Sequence, residues 1–78
     1  MKQKRFLEEH DMAALARQFR EEAGKTRAQA AREMGVKQTS IFHAEESPGQ
    51  SFLKLRRRMI EAYSRYAVTG PVFYLTKK

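Results

Sequence analysis

An all-α domain of four to five helices, closed by one short C-terminal β-strand, is the fold class that three features of the sequence predict. Apolar residues recur at helical spacing from Met12 onward. Glycine and proline interrupt that spacing at Gly24, Gly35, Pro48-Gly49 and Gly70-Pro71, dividing it into short helices. Beyond Pro71 the pattern becomes β-branched and aromatic, Val72-Phe73-Tyr74-Leu75-Thr76, which reads as a strand. With 78 residues the chain makes one small domain, whose marginal core dimerisation would supplement.

Composition removes several functions. There is no cysteine, so neither a disulfide nor a thiolate metal site is expected, and His10 and His43 stand too far apart in sequence to suggest a histidine site. No metal or other cofactor is expected. No apolar run approaches the roughly 20 residues that span a bilayer, and residues 2–11 lack a signal-peptide core. A cytoplasmic protein without a membrane partner follows as the expectation. Sixteen Lys and Arg against 9 Asp and Glu give a net charge of +7, with a pI near 10.2. Such an excess favours polyanions, nucleic acid first among them.

The elements follow in order. Residues 1–10 read as an N-terminal arm or a short helix over about 3–9, with a strand over 2–7 as the alternative. Asp11 suits the N-cap of the first long helix, and Met12, Leu15, Ala16, Phe19 and Ala23 share one face up to Gly24. Arg17, Gln18, Glu21 and Glu22 fall on its solvated side. Thr26 followed by Gln29 is a capping box. Ala30, Ala31 and Met34 form a narrow apolar stripe, and Gly35 suits a left-handed helix end. After Val36 a second short helix turns Ile41 and Ala44 inward and leaves Gln38, Thr39, Ser40 and His43 outward. Two such helices form a helix-turn-helix, a design for reading DNA.

Ser47, Pro48 and Gln50 read as the start of a last helix that continues to about Tyr66. Phe52, Leu55, Met59, Ala62, Tyr63 and Tyr66 share its apolar side, which Leu53, Ile60 and Ala67 widen. Lys54, Arg57, Arg58, Glu61 and Arg65 lie opposite, and Arg57 and Arg58 read as solvated. Arg56 points into the apolar side and needs a carboxylate or a helix terminus beside it. The strand at 72–76 needs a ladder partner, either the segment 2–7 or its own copy across a two-fold axis. The spare apolar width favours the copy. The expectation is a homodimer sealed by Leu53, Ile60, Val72, Phe73, Tyr74 and Leu75. The domain plan is therefore an arm over 1–10, a DNA-binding domain over 11–67 and a dimerisation element over 68–78.

Residues 15–59 resemble the Cro/repressor-type helix-turn-helix family, also called the xenobiotic-response-element family. The resemblance rests on Phe19-Arg20-Glu21-Glu22-Ala23-Gly24, Ala30-Ala31, Met34-Gly35-Val36, Ile41 and Ala44-Glu45. It implies a lambda-repressor-like helical bundle that binds double-stranded DNA as a dimer. It assigns base reading to Gln38, Thr39 and His43, and phosphate contacts to Arg27, Lys37, Ser40 and Lys25, with Lys2, Lys4 and Arg5 as further candidates. It also implies a buried salt bridge between Arg20 and Glu45. Arg56 would then compete for Glu45 or take Glu46. The sequence departs from the family pattern in three places. Lys37 replaces a Ser or Thr cap. Phe42 stands where a small or polar residue is usual, and reads as packed on the first helix or the arm, with a sugar or thymine methyl as the alternative. The loop after the reading helix is acidic rather than basic.

The implied function is a repressor-like transcriptional regulator. The alternative is an antitoxin that binds its own promoter and shares its C-terminal strand with a toxin protein. No nucleophile–base pair, metal cluster or glycine-rich phosphate loop points to an enzyme.

Overall fold

The computed structural model describes residues 6–69 and 73–78, except for the side chains of residues 6, 73 and 74. Four helices fall among these residues: α1 (Glu9–Glu22), α2 (Arg27–Met34), α3 (Gln38–Glu46) and α4 (Leu53–Tyr63). Three short strands join them: β1 (Phe6–Leu7), β2 (Tyr66–Thr69) and β3 (Phe73–Lys77). The protein is thus mostly helical, with a small antiparallel sheet in place of the single strand expected. The helix expected over about 3–9 is corrected at residues 6 and 7, which are strand; the rest of the arm, with Lys2, Lys4 and Arg5, lies outside the described residues.

Helix α1 starts two residues before the expected cap. Asp11 is not the N-cap but its third helical residue, and its carboxylate accepts from the Glu8 N–H at 3.0 Å. The helix buries Met12, Ala13, Ala16, Phe19 and Arg20, whereas Ala23, expected inward, is the exposed C-cap. Helix α2 has the expected capping box: Gln29 N–H donates to Thr26 Oγ1 at 3.1 Å, and Thr26 N–H donates to Gln29 Oε1 at 2.8 Å. Gly35, at φ 71°, takes the left-handed position that lets Val36 N–H reach the Ala31 carbonyl at 3.0 Å. Helix α3 then begins after Lys37, which supplies no side-chain cap.

Helix α4 is shorter than expected at both ends. Residues 47–52 form a turn, with Gln50 N–H donating to the Ser47 carbonyl at 3.0 Å, so the helix starts at Leu53 rather than at Pro48. It stops at Tyr63 because Ser64 competes with the helix for backbone partners. The Ser64 hydroxyl donates to the Ile60 carbonyl at 2.5 Å and accepts from Tyr66 N–H at 3.0 Å. The chain leaves extended, and Tyr66, expected on the helix, opens β2.

Strand β3 lies in the middle of the sheet, antiparallel to β1 (Phe6↔Tyr74, Leu7↔Phe73) and to β2 (Tyr66↔Lys77 through Thr69↔Tyr74). Its ladder therefore closes within one chain, and the expected self-pairing of 72–76 across a dimer axis is corrected. The outer edge of β2 is occupied as well: Val68 N–H donates to Glu61 at 2.9 Å, and Arg57 donates to the Val68 carbonyl at 3.1 Å. Arg57 is consequently an edge cap rather than a solvated cation. Of the expected dimer face, Ile60 is fully buried, and Leu53 and Leu75 are half-buried against the same core. Val72 lies outside the described residues. That core joins Met12, Ala16 and Phe19 of α1 to Ala30, Ile41, Ala44 and Met59, and it includes Leu7 and Val68. The sheet is thus continuous with the helical core, and β2 crosses the expected boundary between residues 67 and 68.

Candidate nucleic-acid interface

The surface of α3 is set by which of its residues the core claims. Ile41, Ala44 and Glu45 are buried, while Gln38, Thr39, Phe42 and Glu46 are exposed. Positions 38, 42 and 46 are one turn apart, so Phe42 occupies the centre of the outward face. It is 43% exposed, and the Arg27 guanidinium lies 5.0 Å from its ring centroid. Among the described residues its ring contacts are Arg27 and the edge of His43, whose ring centroid is 5.4 Å away; most of the N-terminal arm, the other expected partner, lies outside them. His43 is displaced to the rim. It is half-buried, lies nearly parallel to Phe52 at 6.1 Å, and places Nδ1 3.1 Å from Ser47 Oγ. Lys37 is exposed and Ser40 half-buried.

Helix α3 is fixed at its far end by a buried ion pair. Arg20 Nε donates to Glu45 Oε2 at 2.6 Å and its Nη2 to Oε1 at 3.0 Å, the two-pronged geometry that suits a guanidinium and a carboxylate. The Glu45 side chain is fully buried. A third Arg20 nitrogen donates to the Lys25 carbonyl at 2.8 Å, tying the turn before α2 to the same group. Arg56, also fully buried, closes α3 from below through the Ala44 and Ser47 carbonyls, each at 2.8 Å. Its carboxylate is Glu9, at 3.3 Å, not the expected Glu45 or Glu46. Burial lowers the Arg56 pKa from its ordinary value, and Glu9 offsets part of that effect. Arg58, expected in solvent, donates to the Met34 carbonyl at 2.8 Å and so caps the end of α2.

Two of the expected phosphate contacts are engaged inside the protein. Lys25 pairs with Glu33 at 2.8 Å, and Arg27 pairs with Glu45 at 3.0 Å and Glu46 at 2.8 Å. Glu33 also accepts from the Tyr63 hydroxyl at 2.5 Å. The Lys25 hydrogen bond, then that of Tyr63, lowers the Glu33 pKa; burial, then Glu33 itself, pushes Tyr63 up to about 12. Beside the N-terminal half of α3, Val36, Ser40, Phe52, Leu53 and Leu55 line an open groove of about 470 Å³.

Sequence reasoning missed Arg17, whose guanidinium reaches Glu46 at 2.9 Å across a gap no local pattern encodes. The central place of Phe42 was readable from its position one turn after Gln38. Chemically, the face offers an amide, a hydroxyl, an aromatic ring and the exposed ammonium of Lys37. Among the described residues no group of three or more His, Cys, Asp or Glu gathers to hold a metal ion, and no helix is long and apolar enough to cross a membrane. No protein-family model, curated protein or solved structure matches the chain.

Proposed function

We propose that the protein is a sequence-specific DNA-binding regulator of the repressor type, folded as a lambda-repressor-like bundle and acting as a homodimer. The observation that carries this reading is the α2–turn–α3 unit, with a left-handed Gly35 between the helices and Gln38, Thr39 and Phe42 projecting from α3. An exposed helix of this width fits the major groove. The Gln38 amide can accept from adenine N6–H and donate to N7, while Thr39 and Phe42 offer apolar contact to a thymine methyl. Lys37 and Ser40 meet phosphates, and His43 contacts the rim of the site. The net charge of +7 favours the approach.

The test is selection of bound duplexes from a random DNA pool, followed by affinity measurement at fixed salt. A consensus should emerge, and Gln38→Ala should relax one position of it at a cost of about 1–3 kcal/mol. Binding without a consensus, or one indifferent to Gln38, would overturn the reading. With β3 paired on both sides and Val68 capped, the strand offered to a toxin in the alternative reading is taken up within the chain.

A further inference from the structure

Glu46 occupies a position where two guanidinium groups converge. Its Oε2 accepts from Arg17 Nη1 at 2.9 Å and from Arg27 Nη2 at 2.8 Å. Each arginine is separately anchored through its Nε: Arg17 to Glu21 Oε2 at 3.1 Å, Arg27 to the buried Glu45 Oε1 at 3.0 Å. The anchoring carboxylates orient the two side chains, and each presents an outer nitrogen to the same oxygen. The Glu46 side chain is 34% exposed and ends α3, so it can rotate into solvent without disturbing the core. Rotation would leave the guanidinium groups of Arg17, Arg20 and Arg27 against two carboxylates, Glu21 and Glu45, with one positive charge uncompensated. One oxygen accepting from two guanidinium groups is also what a phosphate diester supplies.

We propose that Arg17 and Arg27 form a backbone-phosphate clamp that Glu46 holds shut in the free protein, its carboxylate standing in for the phosphate. The inference deepens the DNA-binding reading and rests on it. It assigns Arg17 to the interface and accounts for the acidic end of α3. Binding DNA requires a phosphate to displace Glu46, so the residue lowers affinity for all sequences alike and leaves base preference untouched.

The experiment compares Glu46→Gln with Glu22→Gln, which removes the same charge from an exposed α1 residue whose side chain, among the described residues, accepts from Gln18. Thermal melts confirm that both remain folded. On the selected duplex, Glu46→Gln should bind about tenfold tighter at low salt, because no carboxylate then competes with the phosphate for the two guanidinium groups. Glu22→Gln should change affinity less than about twofold, because an exposed charge away from the contact is screened. The gain should vanish when Arg17→Ala is added. Equal gains from both Gln variants, or a gain that survives Arg17→Ala, would overturn the clamp. Inorganic phosphate supplies a DNA-free readout by NMR: the Arg17 and Arg27 Nε–H resonances should shift in Glu46→Gln and not in the wild type. Their failure to shift in Glu46→Gln also overturns the clamp. Absence of any duplex preference alongside a positive phosphate titration would instead overturn the DNA reading and leave the clamp standing.

Discussion

At the scale of single residues, Glu45 carries the most consequence. It is fully buried and faces two arginines, so replacing it strands Arg20 in a site with 8% side-chain exposure. Breaking a buried pair from one side costs about 3–5 kcal/mol, because the remaining charge has lost both water and partner. Glu45→Ala should lower stability by about that amount in urea denaturation; a loss below about 1 kcal/mol would mean the pair is far better solvated than its burial implies. Tyr63 provides a second residue-scale prediction. Its pKa, raised to about 12 in the folded state, exceeds the unfolded value near 10. Between those values the folded chain binds the extra proton, so stability present below pH 10 should fall as pH rises toward 12. Tyr63→Phe should flatten that part of the stability profile. An unchanged slope would exclude Tyr63 as its source.

At the scale of elements, Gly35 shows conformation separated from packing. Its φ is 71°, and a Cβ there would meet nothing within 4 Å. Gly35→Ala should therefore cost only the left-handed penalty of about 1–2 kcal/mol, and Gly35→Asn less, as thermal denaturation would show. A larger loss would point to crowding that the open space contradicts. Local signals made most of the helical plan legible. The Thr26–Gln29 capping box and Gly35 delimit α2 with chemistry confined to neighbouring residues, and the inward spacing of Ile41 and Ala44 is equally local. Residues 64–69 were not legible, because Tyr66 and Ala67 continue the apolar spacing of α4 and only pairing with β3 makes them a strand. Pro48 misled for a related reason: the turn at residues 47–52 supplies another partner for the Ser47 carbonyl in buried Arg56. On α3, the outward placement of Gln38 and Thr39 followed from helical spacing. The inward turn of Arg56 and its need for a helix terminus or carboxylate were legible too, but Glu9 as its carboxylate and the reach of Arg17 to Glu46 were not, since those partners come from distant helices.

At the scale of the whole molecule, the terminal strand is part of the fold. β1 and β2 both find their sheet partner in β3, and Leu75 packs against the core. Removing residues 70–78 should therefore abolish cooperative unfolding. A truncated chain that kept the full-length Tm would show the sheet to be dispensable. Any dimer contact that adds a strand cannot use the backbone edges of β3, both of which are paired within the chain. Light scattering on the full chain, repeated with Leu53→Lys, tests one of the half-buried residues of the expected face.

The pairing of Phe6 with Tyr74 also bears on the order in which the chain assembles. Those residues stand almost a full chain length apart, whereas the bonds within each helix and its caps span a few positions. Closing so long a loop costs entropy that only the finished sheet recovers. The helical core should consequently form in the transition state for folding, and the β1–β3 ladder after it. Met59→Ala, in the core, should slow refolding, while Leu7→Ala, in β1, should mainly speed unfolding. Stopped-flow measurements on the two variants would show this as high and low φ-values. The ladder then governs how long the folded state lasts, and the helices govern how quickly it is reached.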